Sequence, residues 1–155
     1  MTPHDIPEVD PELRLDLKLA IENMPASRLL GIQVRGFAAG GLSVLDLPIR
    51  TALTFEGHTV QGGILGALAD YAGVSAAACT LPEGWMAATT AFEVQNLQAA
   101  AGLALIAVGR LVRMGKTTGV SRADVFVQGG AAGDPRLTLV CVATTSCRSF
   151  RMPGA

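Results

Sequence analysis

The run from Val60 to Thr80 limits what this chain can become more than any other feature. It is rich in Gly and Ala, apolar on every side, and interrupted by one charge, Asp70, near its middle. Such a stretch suits either a membrane span or a helix enclosed by a protein core. The span reading fails on two counts. Basic flanks are missing, and a carboxylate deep in lipid is costly. The run is therefore read as a buried helix, Gly62 to Cys79, and the rest of the chain must supply a surface that wraps it.

Half of the 155 residues are hydrophobic and 16% are charged. Disordered chains combine low hydrophobicity with high net charge, so that class is excluded. The length fits one domain, able to bury roughly 70% of its unfolded surface. Cys79, Cys141 and Cys147 form an odd, widely spaced set without CxxC or metal-ligand spacing. That pattern excludes a disulfide scaffold and points to a reducing, cytoplasmic compartment. Met1 to Asp10 is acidic and contains proline, unlike a signal peptide, and is expected to be a loose arm.

Around the buried helix the chain reads as an N-terminal helix and a series of strands. Pro11 to Asn23 has Leu13, Leu17, Ala20 and Ile21 on one face, with Asp10 as N-cap and Pro11 at the first helical position. Met24-Pro25 ends it, and Ser27 to Leu30 adds a short turn. Gly31 to Phe37 and Leu42 to Ile49 read as strands about a hairpin turn at Ala38-Ala39-Gly40-Gly41. Thr51 to Thr59 and Leu81-Pro82-Glu83-Gly84 read as loops. Four strands follow: Met86 to Leu97, Leu103 to Met114, Gly119 to Gln128 and Leu137 to Phe150. In the second of these Leu105, Ala107, Gly109 and Leu111 face one way. A Gly/Ala turn ending at Asp134-Pro135 joins the last two, and 151–155 is a tail. Short glycine-containing turns imply antiparallel pairing, hence an α+β domain with a sheet of about five to six strands around one helix.

The net charge of −1 hides an asymmetry. Residues 1–100 carry 5 Lys/Arg against 11 Asp/Glu, whereas 101–155 carry 7 against 2. Nothing is basic enough for a nucleic-acid protein. The basic half suits either ordinary surface charge or a small polyanion such as a nucleotide phosphate.

The segment Val60-Gln61-Gly62-Gly63 … Ala69-Asp70 carries the chemical signal. Two glycines at a helix start leave N–H groups unhindered at its positive end, where a carbonyl or oxyanion can be polarised. Two turns on, a lone carboxylate in apolar surroundings gains basicity. Both features also have purely structural readings: close packing for the glycines, a local hydrogen bond for Asp70. His58 sits in the loop before the helix, on the surface or at a substrate rim; His4 is the only other histidine. No G-x-S-x-G nucleophile motif or metal-ligand cluster is present. Trp85 and Met86 read as packing residues.

Together with Leu30-Gly31 and Gly57, that helix segment resembles the hotdog-fold acyl-CoA thioesterases, most closely the type related to the phenylacetate-pathway enzymes. Thr89-Thr90-Ala91-Phe92-Glu93-Val94-Gln95-Asn96-Leu97 is similar to the family's strand after the helix, and Arg113-Met114-Gly115-Lys116-Thr117 to its basic turn. The resemblance spans 27–149 and implies a single hotdog domain over 1–155, with an extra N-terminal helix. It implies that Gly62 donates its N–H to the thioester carbonyl, that Asp70 is base or nucleophile, and that Thr89 assists with a hydroxyl. Gln61 stands where many relatives have His, and Phe55 where many have Asn or Gln. Substrate contacts are expected from Phe55, His58, Gly63, Arg113, Gly115, Lys116 and Thr117, with Arg148 a further phosphate candidate.

Gly62 and Asp70 are separated by roughly 12 Å of helix rise, too far for one carbonyl to touch both within a protomer. Two antiparallel helices across a two-fold axis would bring them together, as the resemblance implies, so a homodimer or dimer of dimers is expected. The reading is hydrolysis of acyl-CoA to acid and CoA, with no cofactor, nucleic acid or membrane as partner. An apolar acyl group, medium-chain or aryl, is expected near Leu65, Leu68 and Tyr71. A non-catalytic acyl-CoA binder is the alternative. A hydratase or dehydratase on the same fold is less favoured, because no histidine follows Asp70 in Tyr71-Ala72-Gly73-Val74-Ser75.

Overall fold

A computed structural model of the chain describes residues 5–129 and 136–155. Its centre is the apolar run, which forms helix α3, Gly62–Ala78, with Gln61 as N-cap. Before it come α1 (Leu15–Glu22), α2 (Pro25–Leu30), β1 (Gln33–Ala38), β2 (Leu42–Pro48) and a 3-10 turn at Thr51–Leu53. After it come β3 (Trp85–Asn96), β4 (Ala104–Met114), β5 (Thr118–Gln128) and β6 (Leu137–Arg151). The strands form one six-stranded sheet in the order β1-β2-β4-β5-β6-β3, every pair antiparallel. This is the α+β hotdog arrangement expected from the sequence. Among the described residues, no helix is long and apolar enough to cross a membrane.

The sheet curls around α3, which packs on β2, β3, β4, β5 and β6. Contact is close because small residues line it. A Cβ at Gly109 of β4 would fall 2.0 Å from the Ala72 carbonyl oxygen, so only glycine admits the α3 backbone there. The buried Ser43 hydroxyl donates to that same oxygen at 2.7 Å. Leu65, Leu68, Ala69, Ala72, Leu105, Ala107, Val125 and Val140 fill the space between helix and sheet.

Several boundaries differ from the sequence reading. The first helix starts at Leu15 rather than Pro11, and its N-cap is Arg14 rather than Asp10. Arg14 has φ 50°, a left-handed conformation that stops the helix from extending backward. Asp10 instead exchanges backbone hydrogen bonds with Phe37 of β1. The segment before it is not a loose arm throughout: Ile6 and Val9 pack on a second cluster, Val44, Ile106, Val108 and Phe126, on the outer face of the sheet. The short turn at 27–30 is a full helix from Pro25, closed by Gly31 in a left-handed conformation. The Gly/Ala turn at Asp134-Pro135 and His4 lie outside the described residues.

Candidate active site

Asp70 lies on α3 facing β3, and Thr89 Oγ1 donates to its Oδ1 at 2.8 Å. The strand is built to deliver that hydroxyl. Its pairing with β6 shifts between Thr89 and Ala91, so Thr90 is an extra residue, a β-bulge. The bulge changes which residues face the helix. Before it Ala87 and Thr89 point toward α3; after it Phe92, Val94 and Asn96 do.

Burial pushes the Asp70 carboxyl above its ordinary range, and the Thr89 hydrogen bond pulls it partly back. The result is a carboxylate more basic than a solvated one, held in one orientation. It borders a cavity of about 230 Å³ lined by Leu17, Ile21 and Met24 on one side, by Tyr71, Val74, Ser75 and Ala78 along α3, and by Met86 and Ala87 of β3. The volume exceeds the ~150 Å³ of an apolar cavity that takes up benzene.

The start of α3 is 8 residues from Asp70. Gly62 is its first residue, so its N–H is among those without an acceptor inside the helix. Gln61 Oε1 accepts from the Gly63 N–H at 2.7 Å and caps the helix. Gln61 therefore has a structural task in addition to any toward substrate. Asn96 Nδ2 donates to the Gly62 carbonyl at 3.3 Å, tying the helix start to the end of β3.

Of the other expected site residues, the structure brings Tyr71 to the cavity, and the rest do not line it. Leu65 and Leu68 are buried in the core rather than lining the cavity. Phe55 is 67% exposed and His58 is exposed, both on a turn in which Glu56 accepts from the His58 and Thr59 backbone N–H groups. Arg113, Gly115, Lys116 and Thr117 are exposed at the β4–β5 turn. Arg113 and Gly115 border an open groove of about 530 Å³ that also includes Thr90, Thr118 and Ser146. This groove adjoins the bulge that carries Thr89.

The sequence reading missed the wall formed by α1 and Met24, and took Met86 for a packing residue when it lines the cavity. The apolar face of α1 was visible in the sequence, but its contact with a catalytic candidate joins residues about fifty positions apart and leaves no local mark. The cysteines are free and buried. Burial pushes the Cys79 and Cys141 thiols up to about 11, so neither offers a thiolate at neutral pH. Among the described residues, no group of three His, Cys, Asp or Glu side chains converges on a point.

The architecture defines a class: a hotdog domain with a carboxylate on its central helix. Solved structures of the same fold include proteins described as thioesterases. One from Silicibacter pomeroyi superposes with a TM-score of 0.78 at 22% identity, over 88% of this chain and 96% of that one. The thioesterase HI1161 of Haemophilus influenzae gives 0.73 at 19% identity, over 90% and 91%. The PaaI protein of the E. coli phenylacetic acid degradation operon gives 0.73 at 24% identity, over 92% and 95%. No family model matches the chain, and no curated protein sequence matches it.

Proposed function

We propose that this protein is an acyl-CoA thioesterase acting on medium-chain or aryl acyl-CoA, with its active site shared between two subunits. The observation that carries the proposal is the half-buried Asp70 carboxylate, held by Thr89 at the edge of an apolar cavity. In this reading Asp70 takes a proton from water as the water oxygen bonds to the thioester carbonyl carbon. The oxyanion that forms is met by the Gly62 N–H at the partner's helix start. The C–S bond then breaks, and the proton passes from Asp70 to the departing CoA thiolate. Direct attack by the carboxylate, with water releasing the acyl group afterwards, uses the same atoms.

The edge position of β3 supports a dimer. It pairs with β6 on one side only, and Phe92 on it is 51% exposed. Two such edges joined across a two-fold axis would lay the α3 helices side by side. Arg113, Lys116 and Arg148, all exposed at one end of the sheet, are the groups assigned to the CoA phosphates.

Thiol release from a panel of acyl-CoAs, followed with a thiol-reactive dye, tests the reading. Release from phenylacetyl-CoA or octanoyl-CoA, faster than from acetyl-CoA or malonyl-CoA, is expected. Binding of the whole panel without thiol release would make the protein an acyl-CoA binder instead.

A further inference from the structure

We infer that Arg14 sets the length and polarity of the acyl group this protein accepts, by holding closed the end of the cavity opposite Asp70. The inference rests on the cavity being the acyl site of the proposed function. The cavity follows one face of α3 through Asp70, Tyr71, Val74, Ser75 and Ala78. From the first to the last of these is roughly 12 Å along the helix axis. At Ala78 the run ends beside the guanidinium of Arg14, which does not itself line the cavity and reaches this end through the Ala78 carbonyl.

The contacts of that guanidinium are complete. Nη1 donates to the carbonyls of Ala78 at 2.9 Å and Leu81 at 2.6 Å. Nη2 donates to the Trp85 carbonyl at 2.8 Å and to Asp16 Oδ2 at 2.9 Å, and Nε donates to Asp16 Oδ1 at 2.8 Å. An arginine has five N–H donors, and all are used. Asp16 Oδ2 also accepts from the Gly84 N–H at 3.0 Å. One side chain thus ties together the last turn of α3, the loop after it and the first residue of β3. Because Arg14 directly precedes α1, the same contacts fix the wall that Leu17 and Ile21 present to the cavity.

Two consequences follow for the ligand. An octanoyl chain is shorter than the run from Asp70 to Ala78, and a dodecanoyl chain is longer, so the seal imposes a cut-off between them. The seal also has no donor to spare, so a charged acyl end gains nothing there. A dicarboxylic acyl group long enough to reach that end, such as sebacyl, would bring its second carboxylate to a guanidinium with no N–H left to meet it.

The test compares kcat/KM for octanoyl-CoA, dodecanoyl-CoA and sebacyl-CoA in the wild type, Arg14→Met, Arg14→Lys and Met24→Ala. Emission of Trp85, the only tryptophan, reports whether the start of β3 stays in place. In the wild type the dodecanoyl-to-octanoyl ratio should be about one-tenth or lower. Arg14→Met should raise that ratio about tenfold, a selectivity change that a general loss of stability does not produce. Arg14→Lys, which keeps the charge without the fork, should fall between. Met24→Ala trims the side wall, leaves the seal intact, and should favour bulkier aryl groups without lengthening the chain limit. Should Arg14→Met fail to fold, Arg14→Lys and Met24→Ala still separate length from width. A ratio unmoved in Arg14→Met and Arg14→Lys overturns the inference. So does sebacyl-CoA as a good substrate that is lost in Arg14→Met, since that would make Arg14 a ligand. Calorimetry with octanoate, dodecanoate and sebacate on the same variants reads the same cut-off without catalysis. If no acyl-CoA is hydrolysed yet the acids show the cut-off, the proposed function fails and the seal stands.

Discussion

Thr89 Oγ1 reaches Asp70 Oδ1 at 2.8 Å across a β-bulge at Thr90, and the bulge is what lets one strand serve two ends of the same helix. Without the extra residue, Thr89 and Val94 would fall on opposite faces of β3. With it, Thr89 meets Asp70 while Val94 packs at Gly66 and Asn96 holds Gly62.

Asp70→Asn removes the charge at nearly constant volume. The chemical step should slow by about two to four orders of magnitude, with KM little changed. Stability should move the other way. Burial raises the native carboxyl above its unfolded value. The native state therefore holds the proton at a higher pH than the unfolded chain, and stability falls as pH rises through that interval. The asparagine variant escapes this loss, so its Tm at neutral pH should equal or exceed the wild type's. Near-normal kcat with a lowered Tm would make Asp70 a structural residue.

Thr89→Ala should cost about tenfold in kcat, less than loss of the carboxylate, because a hydrogen bond to a charged group contributes about 1.5 kcal/mol at the low end of its range. Its second effect is on pH. The Thr89 bond lowers the Asp70 pKa, so deleting it should move the acid limb of the kcat profile to higher pH. Thr89→Ser should restore both. An acid limb that stays in place would separate Thr89 from the ionisation of Asp70.

The apolar run and the order of strands were legible because each rests on local pattern: hydrophobicity in the run, turn residues between strands. Asp70 was legible for a similar reason, as the one charge in an apolar helix. Arg14 was not. Its left-handed φ and its five acceptors belong to residues up to 71 positions away, and nothing in Leu13-Arg14-Leu15 marks it. Thr89 is expected from the resemblance, but the bulge that turns it inward was hidden, because a bulge depends on the neighbouring strand's register. The acyl wall is expected at Leu65, Leu68 and Tyr71 because charged side chains are scarce around them, and of the three only Tyr71 lines the cavity. On a helix buried on most sides, however, sequence does not say which side faces core and which faces cavity.

Gly73 and Thr145 should show strong coupling. A Cβ at Gly73 would lie 2.5 Å from Thr145 Oγ1 and 2.9 Å from its Cβ. Gly73→Ala should therefore destabilise by about 1–3 kcal/mol through overpacking. Among the described residues, Thr145 Oγ1 has no hydrogen-bond partner. Thr145→Ala removes that buried hydroxyl and opens space, so the double variant should recover much of the loss. Additive melting shifts in the four-member cycle would show that the two sites do not touch.

Lys116→Ala should raise KM for acyl-CoA more than it lowers kcat, and should flatten the dependence of KM on salt. Lys116 is exposed on the β4–β5 turn, in the basic half of the chain. Screening by salt weakens such contacts to phosphate in the wild type. An unchanged KM with an unchanged salt slope would move the CoA phosphates elsewhere.

The shared site is tested most directly at Gly62. Proline is tolerated at the first helical position, where its missing N–H would have no acceptor in the helix. Gln61 before it has φ −62° and ψ 133°, a conformation that a following proline favours. The nearest obstacle to a new Cβ is the tip of Asn96, at 2.9 Å, a flexible side chain that can turn away. Gly62→Pro should thus keep the fold and delete one oxyanion donor, lowering kcat by about 10²–10³. Mixing it with Asp70→Asn then gives a decisive arrangement. In a heterodimer one site combines both lesions, and the other combines the intact Gly62 of one subunit with the intact Asp70 of the other. Co-expressed and separately tagged, such heterodimers should recover about half the wild-type activity, while each parent homodimer stays low. If both catalytic groups of a site came from one chain, every site in the heterodimer would carry a lesion and no activity would return.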